Sequence, residues 1–298
     1  MSLCDLARYP MRRVSSLAEL CVLLGERHAR REHTVLLAGG TDFVVEVKQA
    51  PVRPPEHDLP LVVDVGTLSE LRGIRTQDER VTIGAACSYR EIAAHPVVRA
   101  RLPLLARASS DVGGPTIQAR GTLGGNLGTA SPAADGVAAI AALDATIVVQ
   151  SVRGPRRIAM ADLQIGYKQS TRQPDEVIAA IEIRLPSPGA HWIWRKVGAR
   201  RAQAISKVGL AAVAELAAGR VERFSSAASS VAPVTALMPR TRALLTGAKL
   251  GAFGAEQLDA AVDADTSPID DLRSTRLYRA HCLRALVRNF VRELGVLG

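Results

Sequence analysis

Residues 35–49 read VLLAGGTDFVVEVKQ. An apolar run stops at Gly39 and Gly40, Thr41 and Asp42 follow, and apolar residues then resume. The pattern is that of a buried strand that ends in a glycine turn before a new element begins. Glycine accepts φ > 0 and lets another group come close to the backbone. Successive N–H groups in such a turn form a concave nest that suits anions, phosphates above all. Gly39-Gly40-Thr41 offers that nest and one hydroxyl. A tight turn with no ligand would read the same way. The Asp42 carboxylate is expected to turn away from an anion and cap neighbouring N–H groups.

Outward from this stretch, helix starts are legible at Ser16…Glu19, Thr67…Glu70 and Ser88…Glu91, each S/T-x-x-E. In such boxes the two side chains satisfy orphan N–H groups reciprocally. Short apolar runs at Thr34–Ala38, Leu61–Val65 and Arg80–Ala85 read as strands, so the order is α/β or α+β. Val52–Pro60, with Pro54, Pro55 and Pro60, reads as a loop joining two subdomains. A second strand cluster covers Ala145–Ser151, Arg156–Ala159 and Glu176–Leu185. Pro186-Ser187-Pro188-Gly189 then breaks the chain, and the main domain boundary is placed there. Beyond it, Trp192–Lys196, Ser206–Leu216 and Arg220–Ser230 read as strands of a separate sheet, although their alanines blur helix against strand. Ser274 is expected to cap a final helix running to Leu294. Arg284, Arg288 and Arg292 would form a solvated stripe on it.

The chain has 298 residues, 47% hydrophobic and 22% charged, enough for a sizeable core and against general disorder. Aromatics are only 3%, so alanine, valine and leucine must fill that core. The net charge is +9, but the arginines are scattered and form no basic tract interleaved with aromatics. Nucleic acid is therefore not expected as a partner. Cys4, Cys21, Cys87 and Cys282 show no C-x-x-C spacing, and the six histidines show no metal spacing. The expectation is reduced thiols, a cytoplasmic protein and no metal of its own. Arg12 and Arg13 precede the run Leu17–Leu24, yet Glu19 interrupts it and a capped helix explains it better than a signal peptide. No stretch reaches the ~18 uninterrupted apolar residues of a membrane span.

A second stretch, GTLGGNLGTASPAAD at Gly121–Asp135, carries another glycine pair, Gly124 and Gly125. Hydroxyl and amide side chains surround the pair, and buried polar atoms need partners. A ligand rich in oxygen supplies them. Two glycine nests suit a diphosphate, one phosphate each. Neither stretch is GxGxxG or a Walker loop, and no HExxH or GxSxG is present.

With both stretches in view, the sequence resembles the FAD-binding medium subunit of the molybdenum hydroxylases, the xanthine dehydrogenase and carbon monoxide dehydrogenase flavoprotein family. LLAGGTDF (Leu36–Phe43) is similar to the family's first pyrophosphate loop and GTLGGNLGTASPAAD to its second. IGYKQSTRQPDEVIAAIEI (Ile165–Ile183), RKVGARRAQAISKV (Arg195–Val208) and TRLYRAHCLRAL (Thr275–Leu286) are similar to further family segments, so the resemblance covers nearly the whole chain. It implies an α+β fold: a two-subdomain FAD-binding domain of the vanillyl-alcohol-oxidase type over residues 1–186 (subdomains about 1–53 and 54–186), and a small α+β C-terminal domain over 187–298.

The resemblance also implies roles. Leu37, Ala38, Gly39, Gly40, Thr41 and Asp42, with Thr122, Gly124, Gly125 and Asn126, would bind FAD's diphosphate mainly through backbone. Thr122 and Ser131 would add hydroxyls, and Thr129 belongs to the same cofactor-binding set. Asp135 would accept from ribityl hydroxyls or flavin N–H, and Arg240 would place positive charge near the flavin. No catalytic acid–base pair is expected. Partners would be a small [2Fe–2S] subunit and a large molybdopterin subunit in a dimer of heterotrimers, with NAD, oxygen or a quinone as acceptor. The chain departs from the family pattern at Gln118 and Ala119, where many members carry Arg-Asn. It departs again at Val112, where animal xanthine dehydrogenases carry an aromatic. Two other readings remain open: a free-standing flavin oxidase of the vanillyl-alcohol type, and a flavin-bound scaffold that docks redox subunits without relaying electrons.

Overall fold

The computed structural model describes residues 3–50 and 55–297. Three short strands, β1 (Met11–Arg13), β2 (Thr34–Leu37) and β3 (Leu61–Asp64), form a parallel sheet in the order β1-β3-β2. Helix α1 (Leu17–Ala29) crosses from β1 to β2 and buries Leu20, Cys21, Leu23 and Leu24 beneath that sheet, against Val63 and Val65. Helix α2 (Thr41–Gln49) follows the glycine pair. Val52, Arg53 and Pro54 of the expected connecting loop lie outside the described residues.

The second sheet is antiparallel. Its strands are β4 (Ile74–Gln77), β5 (Arg80–Gly84), β6 (Thr146–Ser151), β7 (Gly154–Ala159) and, beyond a small ribbon of β8 (Gln164–Gly166) and β9 (Gln169–Ser170), β10 (Val177–Arg184). The order is β4-β5-β10-β6-β7, so β10 fills the centre between β5 and β6. Between β5 and β6 the chain makes a helical excursion: α3 (Tyr89–Ala94), α4 (Pro96–Arg101), α5 (Pro103–Asp111), α6 (Pro115–Arg120), α7 (Leu123–Thr129) and α8 (Asp135–Ala142). Helix α9 (Met160–Leu163) leads into the ribbon. Alternate residues Val81, Ile83, Ile147, Val149, Ile181 and Ile183 pack against α5 and α8 in one core. Full burial of each such side chain contributes on the order of 1.5–3 kcal/mol.

The third sheet, β11 (His191–Val197), β12 (Val208–Ala217) and β13 (Arg220–Ser229), begins after the Pro186–Gly189 break. Both its faces are covered. Trp194, Ala211, Val213 and Ala227 join the core of α5 and α8. Ile193, Leu210, Ala212 and Phe224 pack under α10 (Pro239–Leu245), α11 (Ala255–Ala264) and α12 (Arg276–Glu293). A strand buried on both faces reads as a continuous apolar run, which is why VGLAAVA gave no period of two.

The expected helix starts fare differently. Ser88 and Glu91 form a complete reciprocal box on α3. Ser16 caps α1 through the Glu19 N–H, but the Glu19 carboxylate takes the N–H and hydroxyl of Ser15 instead. Thr67…Glu70 is corrected: only a 3-10 turn forms there, Ser69–Leu71, and the Glu70 carboxylate accepts from Leu17 N–H at the start of α1. The last helix is capped by Thr275 rather than Ser274. Two of the stripe arginines are ion-paired: Arg284 to Asp263 at 3.0 Å and Arg288 to Asp259, lashing α12 to α11.

Candidate functional site

The two glycine stretches meet. Gly39, Gly40, Thr41 and Asp42 lie on the wall of one cavity of about 1100 Å³ with Thr122, Gly124, Gly125, Asn126 and Thr129. That volume is at the upper end of small-molecule pockets, which run to about 1,000 Å³, and suits a ligand the size of a dinucleotide.

Each glycine of the first pair has its own physical reason. A Cβ on Gly39 would stand 1.9 Å from the Arg120 carbonyl oxygen, so backbone packs on backbone there. Gly40 sits at φ 74°, the left-handed region, as the N-cap of α2, and no side chain caps that helix. No group among the described residues accepts from the N–H groups of Gly39 to Phe43. A helix start with unmet donors carries partial positive charge and attracts anions. Asp42 does not cap these donors. Its carboxylate accepts the Thr129 hydroxyl at 2.8 Å, which ties α2 to α7.

The second glycine pair differs from the expected nest. Leu123 N–H donates to Cys87 O, Gly124 N–H to Ala85 O, Gly125 N–H to the Thr122 hydroxyl oxygen and Asn126 N–H to Thr122 O. The donors of this stretch are engaged within the fold. Gly124 is glycine because a Cβ would lie 2.5 Å from the Ala85 Cβ. A Cβ on Gly125 would meet only the Thr122 hydroxyl oxygen, at 2.9 Å. This stretch brings a smooth, side-chain-free surface to the cavity, together with the Asn126 amide.

Two residues of the cavity wall each keep a polar atom buried behind it without a partner among the described residues, the Tyr89 hydroxyl and the Asn126 Oδ1. Both surround Gly136, whose Cβ would fall 2.6 Å from the one and 3.1 Å from the other. Burial pushes the Tyr89 phenol well above its ordinary pKa, so it stays a hydrogen-bond donor. Orphaned buried polar groups each cost roughly 1–3 kcal/mol unless something meets them. A flavin nucleotide fits what these residues offer: an anion for the bare helix start and a long, glycine-walled space for the rest of the molecule.

Leu37 and Ala38 also line the cavity. Ser131, Asp135 and Arg240 do not. The Ser131 hydroxyl oxygen accepts from Ala133 N–H in a local turn. Asp135, buried at the start of α8, takes Lys196 of β11 at 2.5 Å and the Ser206 hydroxyl at 2.7 Å, a link between that helix and the third sheet. Burial raises its carboxyl pKa against the pull of Lys196. Arg240 is exposed on α10, where its N–H donates to Asp265. Tyr89, Lys168 and Arg172 were not legible as site residues. Tyr89 directly follows the Ser88 cap, which is the signal that could have placed it. Val112 lines the cavity beside Ile117. Among the described residues no helix is long and apolar enough to cross a membrane, and no His/Cys/Asp/Glu group could hold a metal ion.

Comparison with known proteins supplies a context for this cavity. Residues 7–188 match the family model of the FAD binding domain in molybdopterin dehydrogenase. Residues 194–294 match the CO dehydrogenase flavoprotein C-terminal domain. The chain is 30% identical to the carbon monoxide dehydrogenase medium chain of Hydrogenophaga pseudoflava, over 94% of this chain and 95% of that one. It is 36% identical to the nicotinate dehydrogenase FAD-subunit of Eubacterium barkeri over 177 residues, 58% of each chain. A solved structure of the Hydrogenophaga carbon monoxide dehydrogenase, in a form lacking the Mo-pyranopterin moiety, superposes with a TM-score of 0.85 at 28% identity over 95% of both chains.

Proposed function

The chain belongs to the FAD-binding family of the molybdopterin dehydrogenases, and we propose that its cavity holds FAD and that the protein is the electron-transfer subunit of a molybdenum hydroxylase complex. It is an oxidoreductase subunit of the kind named among its relatives, the medium or FAD subunits. The observation that carries the reading is the meeting of two distant glycine stretches around a dinucleotide-sized cavity whose helix start has no internal acceptor for its N–H groups.

In this reading the N–H groups from Gly39 to Phe43 hold the diphosphate, with Leu37 and Ala38 completing that wall. The bare face of Gly125 lets the cofactor lie flush against α7. Thr122 fixes the turn through Gly125 N–H, and Thr129 fixes it through Asp42. A bound flavin supplies one- and two-electron exchange. This chain's part is to bind it, orient it and keep water from its buried face.

The finer assignment is that the chain stands between a small [2Fe–2S] subunit and an acceptor such as NAD, in a cytoplasmic dimer of heterotrimers with a large molybdopterin subunit. The full chain purified without partners should carry one equivalent of noncovalent FAD and oxidise no heterocyclic substrate, yet pass electrons from NADH to a dye. Denaturation and filtration should release the flavin. A flavin-free complex with full activity toward its acceptor would favour the scaffold, and substrate oxidation by the chain alone would favour the oxidase.

A further inference from the structure

Arg172 enters the cavity wall from the segment between the β8–β9 ribbon and β10. It is half-buried, and among the described residues no carboxylate pairs with it. Its Nη1 donates to two carbonyl oxygens, of Gln173 at 3.2 Å and Glu176 at 2.6 Å. Its Nε and Nη2 have no hydrogen-bond partner among the described residues. Burial lowers its pKa, and the nearby Glu176 carboxylate offsets that only in part.

The neighbouring acids are already engaged. Glu176 is held through both oxygens by Arg156, at 2.7 and 2.8 Å, and Asp175 by Arg153 through both of its oxygens. Elsewhere on the cavity wall Glu32 pairs with Arg27 at 2.7 Å, Glu46 with Lys168 at 2.8 Å, and Asp42 takes the Thr129 hydroxyl. The Lys168–Glu46 pair runs from the ribbon that precedes Arg172 to α2, the helix whose N-terminus faces the same cavity. On this wall Glu46 is answered by Lys168 and Glu32 by Arg27, whereas the Arg172 guanidinium meets no carboxylate and the helix N-terminus no acceptor among the described residues.

We propose that Arg172 is a second anion anchor of this cavity, gripping the phosphate portion of the bound nucleotide with its free Nε and Nη2 while Nη1 stays on the backbone. This rests on the flavin reading above, and it adds a selection. Arg172 would distinguish a phosphate-bearing nucleotide from the uncharged flavin alone, because only the former supplies the missing negative charge.

The test is a titration of the flavin-free full chain with FAD, riboflavin and ADP, for the natural sequence and for Arg172→Gln and Arg172→Lys. Charge-assisted hydrogen bonds predict that Arg172→Gln weakens FAD and ADP by about tenfold to hundredfold. Riboflavin should change less than about twofold, since it has no charge for the guanidinium to meet. Arg172→Lys should fall between, with part of the loss recovered. The salt dependence of FAD binding should also weaken in Arg172→Gln. Unchanged FAD and ADP affinities in Arg172→Gln would overturn the proposal. So would equal losses for riboflavin and FAD, which would mark Arg172 as a structural support held by its two carbonyls. If the natural chain binds ADP but not FAD, and Arg172→Gln loses ADP, the anchor stands and the flavin reading falls. If it binds neither, both fall.

Discussion

The two glycine pairs look alike in sequence and do opposite work. Gly39-Gly40 opens a helix whose first N–H groups have no acceptor among the described residues. Gly124-Gly125 lies in the first turn of α7, whose N–H groups all have acceptors, in Cys87, Ala85 and Thr122. The first pair presents charge and the second presents shape. A motif of small residues therefore does not disclose which of these it supplies until its hydrogen bonds are traced.

The largest effects should come from the glycines fixed by protein contacts. Gly39→Ala and Gly124→Ala each drive a Cβ into backbone, at 1.9 Å from Arg120 O and 2.6 Å from Ala85 O. Each should cost about 3 kcal/mol or more, at or beyond the upper end of ordinary overpacking. Thermal unfolding of the purified chains measures this. Loss of flavin with an unchanged melting temperature would show that these glycines serve the ligand rather than the fold.

Next comes the pair that faces the ligand. Gly125→Val meets only the Thr122 hydroxyl inside the fold, yet it fills the space along the cavity wall. It should abolish flavin loading for about 1–2 kcal/mol of stability. Gly40→Ala should cost a similar 1–2 kcal/mol through its φ of 74° and should weaken flavin binding less, because the N–H groups stay in place. The ratio of flavin absorbance to protein, taken beside the melting temperature, separates the two. Full flavin content in folded Gly125→Val would break the comparison.

The smallest effect concerns the support of the second pair. Thr122 bridges to Ser88, at the start of α3, and Ser88 and Glu91 close the box that sets Tyr89. Burial raises the Glu91 carboxyl, but the Ser88 N–H and hydroxyl and Arg72 outweigh it and leave the pKa lowered. A lowered carboxyl contributes stability above its ordinary range and loses it as the pH falls through the folded value. Glu91→Gln should therefore melt slightly below the natural chain at neutral pH, and the two curves should converge in acid. A difference that stays constant with pH would assign the effect to packing.

Much of this architecture was legible. The apolar runs at Thr34–Ala38, Arg80–Ala85 and Glu176–Leu185 mark strands to within a residue or two, because burial and period follow from local composition. The α+β arrangement is the one found. Thr67…Glu70 misled because a capping motif states only that a carboxylate wants an N–H, and Glu70 finds one at the start of another helix. The ion pairs of Arg284 and Arg288 were hidden for the same reason, since Asp263 and Asp259 are remote in sequence. Tyr89 could be placed only through the cap that precedes it, and Arg172 could not be read at all. What distinguishes them is the absence of a partner, and that exists only once every other pairing in the fold has been made.

The position of β10 has a consequence for how the molecule is made. β10 is the last strand of its sheet to leave the ribosome, yet it pairs with both β5 and β6 at the centre. Until then β5, paired only with β4, and β6, paired only with β7, each keep one open edge, separated by the whole helical excursion, and the contacts that close the sheet are long-range ones. Val177 and Ile178 of that same strand line the cavity. The nascent chain thus completes the pocket and buries its most aggregation-prone edges in a single late event, so cofactor capture and escape from misfolding are set by the same step.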